Sequence, residues 1–132
     1  MPYRNKRVFI SFDFDNDQAL KTFIRGQANN LQRPFQITDF SLKEEQPERN
    51  WEAKARAQMK QSDLVIVMLG RRTDLAPGVR KEVRIAREEG VDVAQVIGYR
   101  DGTYQRVPDA GIVYRWNDDN LKRLLAPVWY TR

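Results

Sequence analysis

Leu64-Val65-Ile66-Val67-Met68-Leu69 decides the fold. These are six consecutive aliphatic residues, bounded by Ser62-Asp63 before and Gly70 after. The run is too short for a helix and lacks the in-out alternation of a half-exposed strand. A strand of this kind is buried on both faces, as in a parallel sheet covered by helices on each side. Working outward, Asn50 can cap a helix holding Trp51, Ala55 and Met59, with Trp51 read first as a core residue and otherwise as a self-association anchor or a base-stacking ring. Downstream, Gly70 to Gly78 reads as a loop. Val79, Val83 and Ala86 then form a helical stripe that Gly90 stops.

The same alternation extends to both ends. Arg7 to Phe12 (RVFISF) reads as the first strand. Asp15 and Gln18 follow in a capping-box pattern, with Leu20, Phe23, Ile24 and Leu31 at helical spacing, so the first helix runs to about Asn29. Pro34 to Phe40 reads as the second strand, and Ser41 to Arg49, polar and broken by Pro47, as a loop. Val91 to Ile97 is the fourth strand, Gly98 to Asp109 a turn-rich connection, and Gly111 to Trp116 the fifth strand. Asn117 caps a last helix with Leu121, Leu124 and Leu125, and the rings of Trp129 and Tyr130 are expected to pack back on the body. Strands alternating with helices imply right-handed crossovers. The expected fold is α/β: a flavodoxin-like three-layer sandwich over residues 1–132 as one domain, with a five-stranded parallel sheet in the order 2-1-3-4-5. Ligands of such sheets sit beyond the carboxyl ends of the strands, near the switch between the first and third. That directs attention to Phe12–Asp17, Asp39–Ser41 and Gly70–Thr73.

Composition narrows the chemistry. The chain has 132 residues with no cysteine and no histidine. Disulfides, thiolate nucleophiles, imidazole bases and Cys/His metal sites are therefore excluded. Catalysis would have to use carboxylates, hydroxyls, Lys, Arg or backbone groups. The net charge is +5, and the bases are 16 Arg and 7 Lys. Arginine suits bidentate binding of phosphate and carboxylate, so an anionic ligand fits. No segment has the length of a membrane span or a signal h-region, so a cytoplasmic location is expected and no membrane partner.

The strand ends supply candidate groups. Asp13, Asp15 and Asp17 alternate after the first strand and could hold a divalent cation or accept a phosphoryl group. A response-regulator receiver also needs an acceptor Asp at the end of the third strand, where this chain has Met68-Leu69-Gly70. A haloacid-dehalogenase phosphatase needs a late acidic pair, and Gly98-Tyr99-Arg100-Asp101 offers one acid. No metal site is therefore expected. The seven glycines make neither a G-x-G-x-x-G nor a Walker A spacing, which argues against Rossmann-style dinucleotide binding.

Taken together, Arg-Val-Phe-Ile-Ser-Phe (7–12) with its acidic helix start resembles the opening of TIR domains. Ser62 to Gly70 followed by Arg71-Arg72-Thr73 resembles the corresponding strand of the TIR-like branch found in Thoeris antiphage systems. The helix with Val79, Glu82, Val83 and Ala86 resembles that branch's helix bearing the catalytic glutamate. The resemblance covers about residues 7–125. It implies cleavage of the nicotinamide–ribose bond of NAD, which enters as substrate with no further cofactor, and formation of a cyclic or linear ADP-ribose-type signal. Glu82 is then the catalytic residue. Ser11, Phe12, Asp13, Phe14, Asp39, Phe40, Arg71, Arg72 and Thr73 are the substrate-contacting set. The resemblance further implies self-association, with Asp39–Glu45 completing the site across it, and an effector protein that responds to the product. Where the family commonly has Trp four residues before the glutamate, this chain has Gly78. A non-catalytic TIR-like adaptor or receptor that binds a protein or nucleotide is the competing expectation. Nucleic-acid binding through the arginines and magnesium-dependent phosphohydrolysis rank below both.

Overall fold

The computed structural model describes residues 3–13, 16–28, 35–40, 48–98 and 104–129. Its strands are β1 (Tyr3–Arg4), β2 (Arg7–Ser11), β3 (Gln36–Phe40), β4 (Leu64–Leu69), β5 (Asp92–Ile97), β6 (Val113–Arg115) and β7 (Val128–Trp129). Its helices are α1 (Gln18–Ala28), α2 (Glu48–Lys60), α3 (Pro77–Glu88) and α4 (Asp118–Leu124). Five strands form one sheet in the order β3-β2-β4-β5-β6, every pairing parallel. This is the expected 2-1-3-4-5 order.

All six residues of β4 are buried, because both faces of the sheet are covered. Side-chain alternation divides the strands between two cores. Val8, Ile10, Ile66, Met68 and Val96 point to the side of Leu20, Ile24 and Leu121 from α1 and α4. Phe9 and Val65 point to the side of Trp51, Ala55, Met59, Ile85 and Ala86 from α2 and α3. Trp51 is 1% exposed, a core ring as expected. Val67 and Leu69 meet Val79 and Val83 on that second side, nearer the carboxyl ends.

Local signals set the helix ends. Asn117 caps α4, its side-chain oxygen accepting from the Asn120 N–H at 2.9 Å. Gly90 follows α3 at φ +70°, and the Gly90 and Val91 N–H groups donate to the Arg87 and Ala86 carbonyls. This is a Schellman ending, which needs the left-handed backbone that glycine adopts without steric cost.

Several boundaries move. α2 begins at Glu48, so residues 48–50 are helical and Asn50 is not its cap. α3 begins at Pro77 rather than after Gly78, with proline at a first-turn position where its missing N–H costs nothing. The first strand ends at Ser11, the fourth begins at Asp92, and the fifth shortens to Val113–Arg115. The chain ends form a pair that the sequence reading did not contain. β1 and β7 are antiparallel, Tyr3 opposite Trp129, with ring centroids 5.1 Å apart. Trp129 packs against Tyr3 yet stays 62% exposed, rather than folding onto the body. Asp15, Asn29, Leu31, the loop over 41–47 and Tyr130 lie outside the described residues. Among the described residues no helix is long and apolar enough to cross a membrane.

Candidate functional site

The site begins at the last residue of β2. Ser11 pairs with Val67 of β4, so it sits where the chain order of the sheet reverses. Two residues after Phe9, its side chain shares the α2–α3 side of the sheet. On α3, Glu82 is three residues after Val79 and four before Ala86, which sets it within the core-facing stripe. The two side chains meet: Ser11 Oγ donates to Glu82 Oε1 at 2.7 Å, and both residues are 0% exposed. A fully buried carboxylate is expensive to desolvate, and the Ser11 hydroxyl offsets part of that cost. Side chains kept at such cost are candidates for chemistry.

A second polar group lies beside it at the same strand ends. Gly70 N–H donates to Thr73 Oγ1 at 2.6 Å, and Thr73 Oγ1 lies 3.5 Å from both Asp17 Oδ2 and the Met68 carbonyl. Asp17 and Thr73 are buried. A Cβ on residue 70 would fall 2.1 Å from Asp17 Oδ2, so the carboxylate packs directly on the glycine backbone. This latch fixes the turn that carries Arg71 and Arg72, both exposed. A 3-10 turn at Thr73–Leu75 then leads into α3. Asp13 is 7% exposed and accepts from Asn16 Nδ2 at 2.6 Å, while the Asp17 N–H donates to the Asp13 carbonyl at 2.9 Å.

The structure therefore joins Ser11 to Glu82 and places Asp13 and Thr73 at the same edge of the sheet. Phe12, which could serve either the core or a stacking contact, lies in the core. Next to Ser11 but on the opposite face, its ring is 2% exposed in the core with Ile10, Leu20 and Met68. Strand alternation sends it there, so it packs the fold rather than offering a free stacking face. Asp39 and Phe40 pair with Phe9 and Ile10 along β3, which gives their backbone positions. Phe14 lies outside the described residues. Gly78 is buried in the first turn of α3, one turn before Glu82 on the same side. Asp17 and Gly70 fall within the stretches that the sequence marks at the strand ends, but their contact with each other was not expected. Their signal is a glycine directly after a buried strand, with an acid at the next strand's exit.

A family model described as the Thoeris protein ThsB TIR-like domain matches residues 9–101. The match spans β2 through β5 and includes Ser11, Glu82 and the latch. No curated protein matches the chain. The chain belongs to the Thoeris ThsB TIR-like domain family.

Proposed function

We propose that this member of the Thoeris TIR-like family is an NAD-processing signalling enzyme of prokaryotic antiphage defence, with Glu82 as its catalytic carboxylate. The observation that carries the reading is the Ser11–Glu82 pair, an acid buried at the sheet's switch point rather than on the helix surface. The chemistry needs neither histidine nor cysteine. Breaking the bond between ribose C1′ and the pyridinium nitrogen returns the electron pair to the ring and releases neutral nicotinamide. No general acid is required. The ribose passes through an oxocarbenium-like state, related to that of glycoside hydrolysis. Glu82 orients a ribose hydroxyl and stabilises the developing positive charge, and Ser11 fixes its rotamer. Water then attacks C1′ and loses a proton to give ADP-ribose, or a nucleophile of the ADP-ribose itself attacks and closes a ring. Arg71 and Arg72, exposed on the latched turn, are suited to the pyrophosphate. Gly78 stands, buried, one turn before Glu82 where relatives commonly carry an aromatic ring, so stacking on the nicotinamide would have to come from another residue.

A second reading draws support from one observation. Glu82 is fully buried, so a substrate reaches it only if the covering residues move. A domain that stays closed would bind nucleotide or a protein partner as an adaptor, without turnover.

Nicotinamide release from NAD by the purified protein, alone and with lysate of phage-infected cells, separates the two. Turnover is expected in at least one condition, and Glu82→Gln should lower it about 100-fold or more. Equal turnover in Glu82→Gln removes Glu82 from the mechanism. ADP-ribose binding without nicotinamide release in any condition establishes the adaptor.

A further inference from the structure

The outer face of α3 carries a second basic feature, set apart from Glu82 by the helix itself. Arg80, Arg84 and Arg87 recur at helical spacing and fall within about 60° of arc, on the side opposite Glu82. They line a groove of about 350 Å³ together with Val83, Glu88, Pro108 and Asp109. Two of the guanidinium groups are already positioned. Arg80 Nε donates to the Asp74 carbonyl at 2.7 Å, and Arg87 Nε donates to the Asp109 carbonyl. Their Nη groups remain for a ligand. Among the described residues none of the three has a carboxylate partner, and Glu88 is engaged by Arg56 at 2.9 Å. Three positive charges thus converge on a groove with an apolar floor of Val83 and Pro108.

We propose that this groove binds a phosphate-bearing nucleotide of the nucleoside diphosphate class, at a site separate from the Ser11–Glu82 edge. Planar guanidinium forks match phosphate oxygens bidentately. The volume lies in the range of small-ligand sites. The Asp109 carboxylate at the rim accepts from ribose hydroxyls, and Pro108 offers an apolar surface to the base. An acidic peptide fits less well. It would bring carboxylates against Asp109 and Glu88, and the arginine row is only about 10 Å long. The proposal is independent of turnover at Glu82.

Calorimetric titration of the full chain with ADP and with inorganic pyrophosphate tests it. ADP should bind saturably, pyrophosphate should compete, and Arg84→Glu should weaken binding about tenfold or more. The Arg71→Glu/Arg72→Glu double variant, altered at the other edge, should lose only ADP bound beside Glu82 and keep the binding event that Arg84→Glu weakens. Arg84 is exposed, and a circular dichroism spectrum verifies that its variant is folded, with Arg84→Ala as the milder replacement. Absence of ADP binding overturns the proposal. So does binding lost in the Arg71/Arg72 variant but kept in Arg84→Glu, or a glutamate-rich peptide that binds more tightly than ADP.

Discussion

Asp63 accepts three hydrogen bonds at the amino edge of the sheet. Its two oxygens accept from Arg4 Nη1 and Nη2 at 2.7 Å each, and Oδ2 also accepts from the Arg7 N–H at 2.8 Å. The Arg4 guanidinium, followed by the Arg7 amide, holds the Asp63 carboxyl below its usual value of 3.8, against the opposing effect of burial. A carboxylate whose folded value is depressed stabilises the fold fully above the unfolded value. That contribution fades as pH falls from there through the lower folded value. Asp63→Asn should therefore lower the melting temperature at pH 7, and the gap to the parent should close as pH drops below about 4. Thermal melts from pH 7 to pH 2.5 check this, and a gap that persists at acid pH would show that the carboxylate's charge is not the stabilising factor. Residues of this kind differ in how far sequence reveals them. Glu82 was singled out through its resemblance to the Thoeris TIR-like helix, and its burial beside Val79, Val83 and Ala86 is what the structure adds. The role of Asp63 was not legible, because its partner Arg4 lies 59 positions away and no local pattern links the two.

At the level of elements, the strands and helices followed from periodicity, since each buries a face against a neighbour that periodicity also implies. The β1–β7 pair did not, because two-residue strands have no period to read and their pairing joins the chain ends. The route from β5 to β6 was equally hidden. It is set by Gln95, 0% exposed, whose side chain serves as backbone for the incoming segment. Its Oε1 accepts from the Val107 N–H at 2.6 Å, and its Nε2 donates to the Val107 and Gly111 carbonyls at 3.2 and 2.9 Å. Gln95→Leu fills the same space but strands those groups away from water. We expect a loss of roughly 2–4 kcal/mol and a fall in melting temperature on the order of 10 °C. Hydrogen exchange should quicken at Val107 while β4 amides keep their order of protection. Unchanged exchange at Val107 would mean that other contacts hold the segment. The same segment supplies Pro108 and Asp109 to the arginine groove, so this variant should also weaken ADP binding there.

Across the whole molecule, the anchoring ion pair and the candidate site occupy opposite edges of one sheet. Arg4 and Asp63 tie the chain start to the residue before β4, while Ser11, Gly70 and Glu82 gather at the carboxyl ends. A strand such as β4, six residues long, separates the two by about 20 Å. Groups that far apart with no shared partner contribute independently to stability. Burial makes the two edges differ in kind. The Arg4–Asp63 bridge is partly exposed and adds to stability, whereas the buried Glu82 carboxylate is held against its desolvation cost. Arg4→Ala should cost roughly 1–2 kcal/mol and leave nicotinamide release unchanged. Glu82→Gln keeps an acceptor for the Ser11 hydroxyl, so it should retain the parent's melting temperature while losing turnover. In the double variant the stability changes should add within about 0.5 kcal/mol. Denaturant unfolding of the four proteins, paired with the nicotinamide assay, measures both. A coupling above that figure would mean that strain passes along β2 from the anchored edge to the acid, and turnover in Arg4→Ala should then fall as well.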